Sequence, residues 1–67
     1  MNYLVYRIIL GAMYEGELLI AAESPKEALE TAHIFFAEYT PASLGGVCPN
    51  LYSDIKGIVF NTLRLKK

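Results

Sequence analysis

One cysteine, Cys48, and one histidine, His33, stand in a chain of 67 residues. A single thiol closes no internal disulfide and suits a reducing compartment better than a secreted one. No Cys/His cluster exists that could hold a structural zinc. Charge is scarce as well: Asp, Glu, Lys and Arg make up 19% of the chain, against about 25% in ordinary soluble domains. The formal net charge of -1 and pI near 5.7 offer no attraction to polyanions or anionic lipid, which argues against nucleic acid and membrane surfaces as partners. No apolar run approaches the ~18 residues of a membrane-spanning helix. The one early basic residue, Arg7, interrupts the apolar N-terminal stretch instead of preceding it, so no secretory signal is expected. The chain reads as a cytoplasmic protein, complete from Met1.

Chemical motifs are equally sparse. Gly45-Gly46 lacks the lysine and following Ser/Thr of a phosphate loop and the spacing of a dinucleotide fingerprint, so it reads as a turn. Cys48 lies in Gly-Gly-Val-Cys-Pro-Asn. A nucleophilic thiol needs a cation or a base to lower its pKa, and none adjoins it in sequence, which favours a buried structural thiol. His33 has no evident partner and reads as a flank residue of a helix. Glu15 and Glu17 flank Gly16, but two carboxylates without further oxygen ligands specify no metal. The expectation is a protein with no catalytic residue, no metal and no cofactor.

Apolar residues, by contrast, make up 54% of the chain. They are concentrated in strand-like segments. Tyr3 to Leu10 carries apolar or aromatic side chains at both parities, as do Glu17 to Glu23 and Ile55 to Leu65. A half-solvated strand alternates, because successive side chains point to opposite faces of the sheet. These do not, so both faces need cover, and only one helix is evident to provide it. A chain this short buries roughly 60% of its unfolded surface. Its ordering cost, on the order of 100 kcal/mol, nearly cancels what its core gains. Without disulfide or metal, oligomerisation is the remaining source of stability.

The helix announces itself at Ser24-Pro25-Lys26-Glu27: a hydroxyl at the N-cap, proline at the first helical position and glutamate at the third form a capping box. It should run from Pro25 to about Tyr39, ended by Thr40-Pro41. At 100° per residue, Ala28, Leu29, Ala32, Phe35, Phe36 and Tyr39 share the face that packs on the sheet. Ile34 falls on the opposite side with Ala37, a candidate contact for a partner.

Residues Ala42 to Asp54 show no periodicity and read as a loop. The expected architecture is therefore α+β in the order ββαβ: a single domain of residues 1–67 with a three-stranded mixed sheet, order 2-1-3, and one helix packed on one face. The crossover helix would make the second and third strands parallel. Two such units would bury the remaining apolar face or edge against each other as a homodimer or higher oligomer.

Tyr3 and Arg7 share a parity on the first strand with Val5 and Ile9. This face, with Ile34, forms the candidate interface Tyr3, Val5, Arg7, Ile9 and Ile34. Aromatic and arginine side chains anchor protein interfaces, and on some sheets they stack single-stranded bases. The acidic pI favours the protein interface, since nucleic-acid binding leans on phosphate neutralisation. Basic charge at Lys56, Arg64, Lys66 and Lys67 supports the alternative, a single-strand-binding module. The functional expectation is a homo-oligomeric binding or accessory protein, whose partner is itself and possibly another protein.

Residues Ala21 to Ala32 resemble the strand-to-helix junction of several families of small bacterial and mobile-element proteins, such as the DpnD/PcfM-like group. The resemblance covers under a fifth of the chain. The long segment and further strand after the helix depart from that group's shorter ββα pattern, and no function is carried across.

Overall fold

A computed structural model of the chain describes residues 2–11, 14–35 and 43–65. The elements run β1 (Tyr3–Ile9), β2 (Tyr14–Glu15), β3 (Leu18–Ala22), α1 (Pro25–Phe35), β4 (Ser43–Ser53), β5 (Gly57–Asn61) and β6 (Arg64–Leu65). Four strands form one sheet in the order β4-β1-β3-β5, and β2 pairs with β6 in a second, two-stranded sheet. Every pairing is antiparallel. The fold is α+β with one helix among the described residues, but the expected three-stranded mixed sheet of order 2-1-3 is not the one formed.

The segment expected to be a loop accounts for that difference. Residues 43–53 form β4 and occupy the place beside β1 that the sequence reading gave to the last strand. Their strand character is masked by two irregularities. Between the pairs Leu4↔Tyr52 and Tyr6↔Val47, β4 takes five steps where β1 takes two. Asn50 sits in this excursion at a φ of 62°, a left-handed conformation that asparagine tolerates better than most residues. A second shift separates Arg7↔Gly46 from Ile8↔Leu44. A strand interrupted twice loses the period of two by which strands are recognised.

The expected final strand, Ile55 to Leu65, divides into β5 and β6. Leu63 N–H donates to the Asn61 side-chain oxygen at 3.0 Å, an Asx-type turn that ends β5. Thr62 is then tied to Glu17 twice: its N–H donates to the Glu17 carbonyl at 2.9 Å, and its Oγ1 accepts from the Glu17 N–H at 3.0 Å. Gly16 makes this contact possible. Its φ is +103°, and a Cβ at this position would run into the Thr62 carbonyl. Past the turn, β6 pairs with β2.

The helix begins as its capping residues dictate, with one shift. Ser24 Oγ accepts from the Glu27 N–H at 3.1 Å, while Glu27 Oε1 accepts from the N–H of Glu23 at 2.9 Å, one residue earlier than in the usual box. Ala28 and Ala32 are fully buried against the sheet, and these small side chains let α1 lie close on β1 and β3. Leu29 is half-buried, but Phe35 is exposed, unlike its expected place on the packing stripe. The expected continuation through Phe36 and Tyr39 lies outside the described residues.

Below the helix, Tyr6, Ile8 and Leu10 of the β1 segment meet Leu18, Ile20 and Ala22 of β3 to form the core, with Tyr14, Ile58 and Leu63 packed at its margin. Leu18 and Ile20 have no exposed surface. One parity of β1 thus serves the helix side, and the other forms a second face.

Candidate interaction surface

The second face of the sheet carries Tyr3, Val5, Arg7 and Ile9 from β1, as alternation requires. Leu19 and Ala21 of β3 join them, since Val5 lies opposite Ala21 and Arg7 opposite Leu19. A register shift in β5 adds Phe60. Phe60 pairs with Leu19 on this face, while Ile58 pairs with Ile20 on the helix side, and Val59 is the extra residue between them. Neither parity of the last segment as a whole faces the helix; the bulge divides it.

These residues and the end of β4 enclose an open groove of about 320 Å³, lined by Val5, Leu19, Leu51, Tyr52, Val59 and Phe60, with Ser53 at its edge. Its floor is built and its walls are not covered. Val5 is only 1% exposed and Leu19 is half-buried, whereas Tyr52 is 57%, Phe60 45%, Val59 42% and Leu51 42% exposed. Apolar groups left in water at this density mark interaction sites. No further layer among the described residues covers this face.

Four ion pairs join charged side chains elsewhere on the described surface. Arg7 Nη2 lies 3.2 Å from Glu17 Oε2. Arg64 Nε lies 3.4 Å from Glu15 Oε1 across the β2–β6 pair. Glu15 and Glu17, read as neighbours at a hairpin end, are therefore held by different arginines. Lys56 Nζ reaches Glu27 Oε2 at 3.3 Å and Glu23 Oε1 at 3.7 Å, and lies 5.9 Å from the centroid of the Tyr3 ring. The Glu23 N–H, opposed by desolvation and aided by Lys56, holds the Glu27 carboxyl below the usual range. The hydrogen bond to Glu27, followed by the fields of Glu23 and Glu27, raises the Lys56 ammonium pKa.

Of the five candidate residues, Tyr3, Val5, Arg7 and Ile9 share the outer face, and Ile34 stands apart on the helix. Tyr3 is half-buried, Val5 is buried in the floor, Arg7 is exposed and ion-paired, and Ile9 is 51% exposed. Ile34 is 76% exposed and neighbours the exposed Phe35. Sequence periodicity does not reveal Leu51, Tyr52, Val59 and Phe60: the first two follow the excursion at Asn50, and the bulge at Val59 obscures the direction of the others.

Cys48 is a free, half-buried thiol, and His33 is exposed on α1. Among the described residues no group of three or more His, Cys, Asp or Glu could hold a metal ion. No helix there is long and apolar enough to cross a membrane.

Comparison of the chain with protein-family models, with characterised proteins and with solved structures finds no match.

Proposed function

We propose that the protein is a small self-associating binding module whose working surface is the outer face of the β4-β1-β3-β5 sheet. The groove carries this reading: a floor of buried Val5 and half-buried Leu19 between exposed apolar walls. A C2 interface requires each copy to present both a projection and a recess on one patch. Phe60 and Tyr52 beside the groove meet that need. The usual share of a stable dimer, roughly 800 Å² per partner, is about a sixth of the chain's 4561 Å², within reach of one sheet face. The net charge of -1 adds little self-repulsion.

Single-stranded nucleic acid is disfavoured as the ligand. Arg7 is engaged by Glu17, Lys56 by two glutamates and Arg64 by Glu15, which leaves these cations neutralised. Fluorescence anisotropy with labelled oligonucleotides at low and high salt separates the readings. Self-association without salt-sensitive oligonucleotide binding is expected, and tight binding that fades with salt would reverse the choice.

A further inference from the structure

The order β4-β1-β3-β5 places the midline of the sheet between β1 and β3. Two sheets packed face to face in the aligned class keep their strands within about 30° of each other, which leaves two directions for a two-fold axis between them. An axis along the strands sets β1 of one copy over β3 of the other, and β4 over β5. An axis across the strands sets each strand over its own counterpart.

The charge on the outer face distinguishes the two. Glu17 shares the parity of Leu19 and Ala21, and its carboxylate lies 3.2 Å from Arg7 Nη2. Since Val5 lies opposite Ala21 and Arg7 opposite Leu19, the face passes along its strands from apolar, at Val5 and Ala21, to charged, at Arg7 and Glu17. A crosswise axis centred on the groove lays the Arg7 guanidinium over Val5 of the other copy, which strips water from a charge against an apolar floor. A lengthwise axis sets apolar groups on apolar groups: Val5 meets Ala21, and Phe60 meets the wall formed by Leu51 and Tyr52. Arg7 then stands to Glu17 of the other copy as it stands to its own, one strand away and one pair along. Stacked sheets lie about 10 Å apart, a gap that facing arginine and glutamate side chains span.

Resting on the self-association reading above, we propose that two copies stack about a two-fold axis parallel to their strands, and that Arg7 and Glu17 of both close a ring of four alternating charges at one end of the interface. Exposed ion pairs add little affinity, but like charges brought face to face are strongly penalised. The ring therefore sets orientation and partner choice, while the groove supplies the adhesion.

The double exchange Arg7→Glu with Glu17→Arg tests it, because it keeps an ion pair within the chain and restores alternation between its own copies. It should dimerise as wild type does. Mixed with isotope-labelled wild type and read by native mass spectrometry, the two should sort into separate dimers, since each cross-copy contact in the ring would join like charges. Arg7→Glu alone and Glu17→Arg alone should each dimerise at least about tenfold more weakly, and their equimolar mixture should recover the dimer. Thermal melts show which variants are folded, and the mixture of single variants decides if the double variant is not. Free mixing of wild type with the double variant, a folded double variant that stays monomeric, or single variants that fail to rescue each other overturns the orientation and leaves self-association standing. A wild-type monomer at every concentration overturns both.

Discussion

Lys56 Nζ lies 3.3 Å from Oε2 of Glu27, joining the connection between β4 and β5 to the first turn of the helix. The same carboxylate caps the helix through the Glu23 N–H. One glutamate thus serves both the start of α1 and the connection from β4 to β5. Replacing Glu27 with Gln keeps an oxygen for the cap and removes the charge. Its folded pKa is depressed, so the charge contributes stability above the ordinary glutamate value of about 4.3, lost as pH falls through the lower folded value. Thermal unfolding of wild type and Glu27→Gln should differ near pH 7 and converge in acid. Equal curves at pH 7 would show that the carboxylate's charge adds nothing.

The Lys56 contribution has the opposite sign. Its folded pKa is raised, so the stabilisation is fully present below the ordinary lysine value of about 10.4 and is lost as pH rises through the folded value. Lys56→Met should therefore lower the melting temperature slightly at neutral pH, with the gap narrowing above that range.

Ser24→Ala removes the oxygen that accepts from the Glu27 N–H. A lost N-cap of this kind costs about 0.5–2 kcal/mol, measurable as a lower urea midpoint with an unchanged m-value. A midpoint shift no larger than that of an exposed control, such as Lys26→Ala, would show that α1 does not depend on this cap.

Gly16→Ala sets a side chain against the Thr62 backbone in a left-handed conformation. The strain should cost roughly 1–3 kcal/mol, and hydrogen exchange should quicken at the Thr62 and Glu17 amides, which bond each other's residue. Unchanged exchange would mean that the Glu17–Thr62 contact does not depend on this glycine. Ile20→Ala, at the sealed centre of the core, should cost about 2–5 kcal/mol, a large part of what so small a domain possesses.

Local chemistry made parts of this fold legible. Ser24, Pro25 and Glu27 marked the helix start because capping acts within four residues. The doubly apolar pattern of Tyr3 to Leu10 marked a strand burdened on both faces, and β1 is central in its sheet. The rest depended on long-range register. The excursion around Asn50 hid β4 behind turn residues. The extra residue Val59 turned Phe60 away from the side that Ile58 faces. Parity arguments carry only across unbroken strands. The groove is built where two broken ones meet the central pair, so Val5 was legible while Tyr52 and Phe60 were not.

The central claim is that the outer sheet face binds a second copy, and light scattering across a hundredfold concentration range tests it most directly, with wild type beside Phe60→Ser. The account gives a wild-type mass rising from 7.5 kDa to twice that value, and a variant that stays folded while its dissociation constant rises at least tenfold, the equivalent of about 1.4 kcal/mol. A wild-type mass fixed at 7.5 kDa throughout, or a dimer unaffected by Phe60→Ser, would contradict it.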